Sequence, residues 1–320
     1  MKRKIFSLIT GIFLLYILPV AAHAVQTLVP VGEVVGLELR SNCVTVAAFD
    51  ESSNAPGAGV KVGDRLLSID GQTIHSPEDV QQALHQSKGS VQLLLQRGEE
   101  LKNVRVSPTI TPDGPKLGIY LRQGVTGIGT VTYYDPQEKT FGILGHGVND
   151  TSGRLLQLTA GNVYEAQVSS VRKGRCGEPG QLMGAVTSQE PIGQIHRNTA
   201  QGIFGSCRVP FSAQALPVGS ADAVKTGSAT ILSTVSGDRV QEYSVEILKV
   251  YPASRQNGRN LLIRVTDPQL LETTGGIVQG MSGSPIIQDG KLVGAVTHVL
   301  VNDPTTGYGI FIENMLDAAA

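Results

Sequence analysis

The chain has no tryptophan, aromatic residues make up only 5% of its 320 residues, and it carries three cysteines. An odd, small number of cysteines excludes a disulfide-stapled scaffold. One bridge at most can form, between Cys176 and Cys207, and the alternative leaves these thiols and Cys43 unpaired. No Cys-x-x-Cys, His-Glu-x-x-His or Gly-x-x-x-x-Gly-Lys-Ser pattern occurs, so no metal or cofactor is expected. Also lacking is any excess of one charge: 26 basic residues face 27 acidic ones, for a net charge of -1. Nucleic acid, or an anionic membrane as a general binding surface, would call for a basic excess, so partners are expected to be proteins.

Glycine is abundant, with 38 residues. Together with few aromatics this favours a mainly β fold of many short strands and tight turns over a helical bundle. The length suffices for two domains with their own cores. At the N-terminus, Lys2-Arg3-Lys4 precedes an apolar run from Ile5 to Val20 and the small-x-small site Ala22-His23-Ala24. Residues 1–24 therefore read as a signal peptide or membrane anchor with its basic end inside, and the rest of the chain as exported.

The stretch richest in chemistry is Gly280-Met281-Ser282-Gly283-Ser284-Pro285, which resembles the turn around the nucleophile of chymotrypsin-like serine peptidases. An oxyanion hole needs backbone N–H groups converging on one point, which small residues permit; here Gly280 and Ser282 would donate. Ser, Gly and Pro also suit an ordinary surface turn, so the reading depends on a base for Ser282. Of six histidines, His23 lies in the leader, His75 and His85 fall in a separate binding module, His196 has no distinctive setting, and His298 follows Ser282 too closely for a His-before-Ser order. His146 remains, at the end of the apolar run Phe141-Gly142-Ile143-Leu144 and flanked by Gly145 and Gly147. For the carboxylate that orients the base, Asp267 at the end of Leu261–Val265 and Asp150, four residues after His146, are both open; Asp303 reads as turn chemistry.

The segment Gly276 to Ile287, with Gly294-Ala295-Val296-Thr297-His298-Val299 and Val301 to Gly309, resembles the sporulation stage IV B peptidase family, membrane-associated serine peptidases with an N-terminal PDZ domain. The resemblance implies Ser282 as nucleophile, His146 as base and Asp267 as orienting residue. It further implies self-cleavage and cleavage of a membrane-bound regulator outside the cytoplasm, between forespore and mother cell. That cut would activate a late mother-cell sigma factor.

Residues 28–107 look like a bacterial PDZ domain, centred on Pro56 to Ile74. Asp70-Gly71 is a favoured hairpin turn, and Ser76-Pro77-Glu78-Asp79 reads as a capped helix start whose apolar face is Val80, Ala83 and Leu84. Such a domain adds a peptide strand beside that helix. The nest for the peptide's carboxylate is expected at Gly32-Glu33-Val34-Val35-Gly36, where the loop departs from the usual apolar type and Glu33 would repel a carboxylate. Residues 109–115 read as a linker. From 116 to 320, short apolar runs separated by glycine turns predict the double β-barrel of a chymotrypsin-like peptidase. Two other functions fit the sequence less well: a catalytically inactive PDZ adaptor of the envelope, and a broad quality-control protease, whose PDZ domains usually follow the catalytic region.

Overall fold

The computed structural model describes residues 26–150, 153–255 and 258–320. The expected leader lies outside the described residues. Among those described, no helix is long and apolar enough to cross a membrane.

Strand β1 (Thr27–Pro30) leads into β2 (Val34–Phe49), whose two halves have different characters. From Val34 to Leu39 the strand is buried almost continuously; from Val44 buried and half-buried residues alternate. That change in pattern marks a change of partners. The first half pairs with β-structure far along the chain, while the second half enters the sheet of a PDZ unit.

Within this unit α1 (Ala55–Ala58), β3 (Arg65–Ile69) and β4 (Gln72–Thr73) come first. Asp70 and Gly71 both have positive φ, +48° and +83°, as the predicted two-residue turn requires. Helix α2 (Pro77–Gln86) starts as expected: the Ser76 hydroxyl accepts from the Asp79 N–H and the Asp79 carboxylate accepts from the Ser76 N–H, forming a capping box. Val80, Ala83 and Leu84 are buried against β5 (Val91–Arg97) and the rest of a separate core. β6 (Glu100–Val106) completes the sheet. The fully buried Asp64 is held by a two-pronged contact from Arg97, both bonds 2.7 Å.

The expected linker forms a hairpin, β7 (Thr109–Thr111) with β8 (Gly114–Lys116). The apolar runs Ile119–Leu121 and Gly129–Tyr134 lie on one long strand, β9 (Ile119–Asp135). It runs antiparallel to β2 along both halves, so the PDZ unit grows from the open end of a β2–β9 hairpin. The domain boundaries differ accordingly from those expected: Thr27 to Ser41 belongs to the peptidase body, and the PDZ unit is an insertion in it. Apolar alternation reveals a strand's faces and not which of two sheets each half joins.

β9 continues to β10 (Thr140–Ile143), β11 (Leu158–Arg172), β12 (Gln181–Thr199) and β13 (Gly202–Cys207). The pairings β2–β9–β10–β13–β12–β11–β2 close the first six-stranded barrel. After β14 (Leu216–Pro217), strands β15 (Gly227–Thr234), β16 (Val240–Val250), β17 (Leu261–Val265), β18 (Pro285–Gln288), β19 (Lys291–Leu300) and β20 (Asp303–Phe311) close the second. Helix α3 (Pro268–Thr274) lies between β17 and β18, and α4 (Ile312–Ala319) ends the chain with Ile312 and Met315 buried. Val34, Val168 and Leu182 of the first barrel pack into the core of the second, so the barrels share an apolar seam.

Candidate active site

Ser282 stands at the seam. Gly280 and Gly283 have φ of +101° and +98°, and a Cβ on Gly283 would lie 2.0 Å from the Thr130 carbonyl oxygen. Only glycine allows that approach. The turn is also held from the second barrel: the Gly283 N–H donates to the Val296 carbonyl at 2.7 Å, and the Val296 N–H donates to the Ser284 carbonyl at 2.9 Å. The Ser282 hydroxyl donates to the Thr297 carbonyl at 2.9 Å. Among the described residues no acceptor engages the N–H of Gly280 or of Ser282, the two donors expected of an oxyanion hole.

Across the seam, the chain leaves β10 through Leu144 and Gly145, both with positive φ, before it reaches His146. Left-handed backbone at a leucine is strained, and the surroundings enforce it: the Leu144 N–H donates to the Thr130 carbonyl, while Gly145 packs on the Thr297 methyl. The resulting turn brings the half-buried His146 into the same pocket as Ser282, a cavity of about 260 Å³ whose walls include Leu37, Val125, Ile128 and Leu144. His146 Nδ1 lies 2.9 Å from its neighbour's carbonyl, Gly147 O. That acceptor fixes the proton on Nδ1 and leaves Nε2 bare. Burial holds the imidazole below its ordinary pKa of 6.5, opposed by the Gly147 carbonyl.

Neither expected carboxylate meets this imidazole. Asp267 caps α3, accepting from the Leu270 N–H at 3.0 Å and from the Ser244 N–H at 3.4 Å. Asp150 accepts from the Arg154 N–H, with its carboxylate 4.0 Å from the Arg154 guanidinium. The ring in contact with His146 is that of His298, set aside on its position after Ser282: the centroids are 5.5 Å apart, tilted by 42°. Sequence order says nothing about two side chains brought together by barrel closure. Thr130 was also missed. It is fully buried, donates its hydroxyl to the Gly280 carbonyl at 2.7 Å and its N–H to the Ser282 carbonyl at 3.3 Å, and receives Leu144. No local signal sets it apart from Thr132, the other fully buried threonine of the same strand.

The pocket opens through Leu37, Gly127 and Ile128 into a larger cleft of about 780 Å³, bordered by Glu38, Tyr164, Met183 and Val186. An extended peptide has room there beside Ser282.

The expected peptide nest at Gly32, Glu33, Val34, Val35 and Gly36 is not in the PDZ unit. The Gly32 N–H donates to the Val131 carbonyl, its own carbonyl accepts from the Thr234 hydroxyl, and Val34 to Gly36 pair with β9 and β11. Glu33 faces Glu165 and Asp238, and burial is the main cause of its raised carboxyl pKa. The groove of the PDZ unit runs instead between α2, at Pro77, Val80, Gln81 and Leu84, and the start of β9, a space of about 400 Å³. Leu117-Gly118-Ile119, with Gly118 at φ +65°, forms the apolar loop at its end. Its sequence was visible, but the position expected for it was before the first PDZ strand and not after the last.

The sequence model of the family described as SpoIVB peptidase S55 matches residues 114–316, and that of the PDZ domain matches residues 45–97. A curated Agrobacterium fabrum protein designated a zinc metalloprotease, Atu1380, is 41% identical over 87 residues, 27% of this chain and 23% of that protein. This chain thus spans under a quarter of that relative's length. Among solved structures, the inactive form of the Rv3671c protease aligns at 15% identity over 61% of this chain and 85% of its own, with a TM-score of 0.34. The active form, from M. tuberculosis, aligns at 16% identity over 61% and 73%, with a TM-score of 0.35.

Proposed function

The chain belongs to the SpoIVB peptidase S55 family and is a serine endopeptidase, and from that premise we propose that it is a regulatory protease of sporulation, acting on itself and on a membrane-bound regulator outside the cytoplasm. Cleavage of that regulator would activate a late mother-cell sigma factor. The observation that carries the catalytic part is the shared pocket of Ser282 and His146 at the seam of two barrels, beside two N–H groups that no acceptor among the described residues engages.

In the reaction the Ser282 oxygen attacks the peptide carbonyl carbon while His146 Nε2 takes the hydroxyl proton. The carbonyl π electrons move to oxygen, where the Gly280 and Ser282 N–H groups stabilise the charge. His146 then gives its proton to the leaving amine, and water reverses the sequence on the acyl-enzyme. With the Ser282 hydroxyl donating to the Thr297 carbonyl, the serine side chain must rotate toward His146 Nε2 before attack. A regulatory protease gains from such a resting state. The leader would place the enzyme at the membrane beside its substrate, and the groove between α2 and β9 would hold peptide segments of partners.

The test is fluorophosphonate labelling of the full-length chain in mild detergent, with the adduct mapped by mass spectrometry. An adduct on Ser282, absent from Ser282→Ala and from His146→Ala, is expected. Wild-type labelling in either variant would refute the assignment. Incubating the enzyme with an extracytoplasmic regulator segment tests the substrate reading, and an uncut segment with a labelled Ser282 would refute that part alone.

A further inference from the structure

An oxyanion hole works only while its N–H groups point at the place where charge develops. The Gly280 N–H belongs to the peptide group between Gln279 and Gly280. That group is the centre of a four-residue turn, closed by the Met281 N–H donating to the Val278 carbonyl at 3.1 Å. Gly280 has a φ of +101° while Gln279 keeps the usual negative sign, which makes the turn type II. A type I turn closes with the same hydrogen bond but has its central peptide turned over. In a trans peptide the C=O and N–H point in opposite directions, so inversion would put the Gln279 carbonyl oxygen where the Gly280 N–H now lies. An oxygen there would repel the developing oxyanion. Glycine at position 280 accepts either sign of φ, so the turn by itself does not forbid the inverted form.

The contacts that hold the observed form come from the first barrel. The Leu182 N–H donates to the Gln279 carbonyl at 2.8 Å, and the Gln279 N–H donates to the Gly180 carbonyl at 3.0 Å, a short parallel bridge between the start of β12 and the turn. The bridging segment is itself closely fixed. A Cβ on Gly180 would lie 2.4 Å from the Gly174 nitrogen and 2.6 Å from the Arg172 carbonyl oxygen, and the Leu182 side chain is buried in the core of the second barrel. The loop joining β11 to β12 is tied to that barrel at two further points: the Gly174 N–H donates to the Thr274 carbonyl at 2.8 Å and the Gly177 N–H to the Val301 carbonyl at 2.9 Å.

We infer that Leu182, through its backbone N–H, is a positioning residue of the oxyanion hole, holding the Gln279–Gly280 peptide in the orientation that presents the Gly280 N–H. The inference rests on the assignment of Ser282 as nucleophile and of the Gly280 and Ser282 N–H groups as the hole. The next peptide, between Gly280 and Met281, is held by the Thr130 hydroxyl, so two consecutive peptides of the turn are set by two strands of the first barrel, β12 and β9. Loss of the bond from Leu182 frees the first of them to invert, which disables the hole without moving Ser282 or His146.

The experiment replaces Leu182 in the full-length chain by its α-hydroxy acid, which exchanges the N–H for an ester oxygen and keeps the side chain. The same exchange at Gly177 removes a bond of the same kind to the second barrel and serves as the control. Fluorophosphonate inactivation is followed at several probe concentrations, which separates the maximal rate from probe binding, alongside thermal melts. The phosphoryl oxygen of the Ser282 adduct occupies the place of the oxyanion, so the ³¹P resonance of the adduct, native against denatured, reports the hydrogen bonds it receives. The Leu182 ester is expected to lower the maximal rate about fivefold or more, the scale of one backbone hydrogen bond, with probe binding little changed. Its ³¹P resonance should move toward the denatured position. The Gly177 ester should lower the melting temperature and keep the wild-type rate and resonance. A folded Leu182 ester with the wild-type rate and resonance would overturn the inference, as would equal losses in the two esters. Labelling at the wild-type rate in Ser282→Ala, or a native wild-type adduct that resonates at the denatured position, would instead overturn the assignment beneath it.

Discussion

The Thr130 hydroxyl donates to the Gly280 carbonyl at 2.7 Å, joining the first barrel to the Ser282 turn across 150 positions of sequence. Because the Thr130 carbonyl also receives Leu144, two residues before His146, this one threonine sets the distance between the serine turn and the histidine turn. The candidate site is therefore assembled at a strand of the first barrel, with Ser282 and His146 each on a turn tied to it.

Thr130→Val keeps the shape of the side chain and removes that donor. A buried carbonyl left without its partner costs about 1–3 kcal/mol. Fluorophosphonate labelling of Ser282 should slow about tenfold or more, with a lower melting temperature, and Thr130→Ser should recover most of both. A Thr130→Val enzyme with the wild-type labelling rate would show that the turn holds itself.

Acidification should weaken the fold well before the carboxylates titrate. The pKa of His298 is about 4 in the folded protein and 6.5 when exposed, so between those values the unfolded chain binds more protons and stability falls as pH falls. His146, also lowered, acts in the same direction, while Glu33, with a raised carboxyl, opposes them. Melting temperatures measured from pH 7 to pH 4 should drop, and His298→Gln should flatten the curve. An equal slope in that variant would locate the dependence elsewhere.

Peptide binding should follow the groove at Leu117–Leu121 and not Gly32–Gly36. Val80→Arg places a charge on the apolar wall of that groove and should reduce binding of a fluorescent peptide with an apolar C-terminus at least about tenfold by anisotropy. Glu33→Gln should leave the same binding unchanged.

The cysteines are all unpaired, Cys176 exposed and Cys43 and Cys207 half-buried. Burial, with a smaller contribution from Glu33, raises the Cys207 thiol to about 12, which leaves almost no thiolate at neutral pH. Iodoacetamide at pH 8 should therefore modify Cys176 first, as read by peptide mass spectrometry, and reducing agent should change neither melting temperature nor labelling.

Features written in short stretches of residues were legible in the sequence. The Ser76–Asp79 helix start, the Asp70-Gly71 turn and the glycine-bracketed Ser282 and His146 each depend on neighbours in the chain. Relations set by barrel closure were not. His298 reaches His146 only because β19 and β10 end at the same seam, and Thr130 finds Gly280 through a contact no local pattern encodes. The assignment of Gly32–Gly36 to peptide binding failed for a related reason: β2 is one strand serving two sheets, and its first half pairs with β9 and β11 in the barrel.

The β2–β9 ladder is continuous in the barrel up to Leu39 opposite Val125, and the next residue back, Gly124, passes so close to Leu39 that a Cβ there would lie 1.9 Å from its carbonyl oxygen. Past Ser41, where β2 makes its last pairing with β11, the chain leaves the peptidase body, and it returns there at Val125. The PDZ unit is thus grafted where a minimal barrel would need only a tight turn. Splicing residues 41 and 125 through such a turn would keep the β2–β9 and β2–β11 pairings of the barrel, and any other module whose ends lie close together has a ready point of attachment.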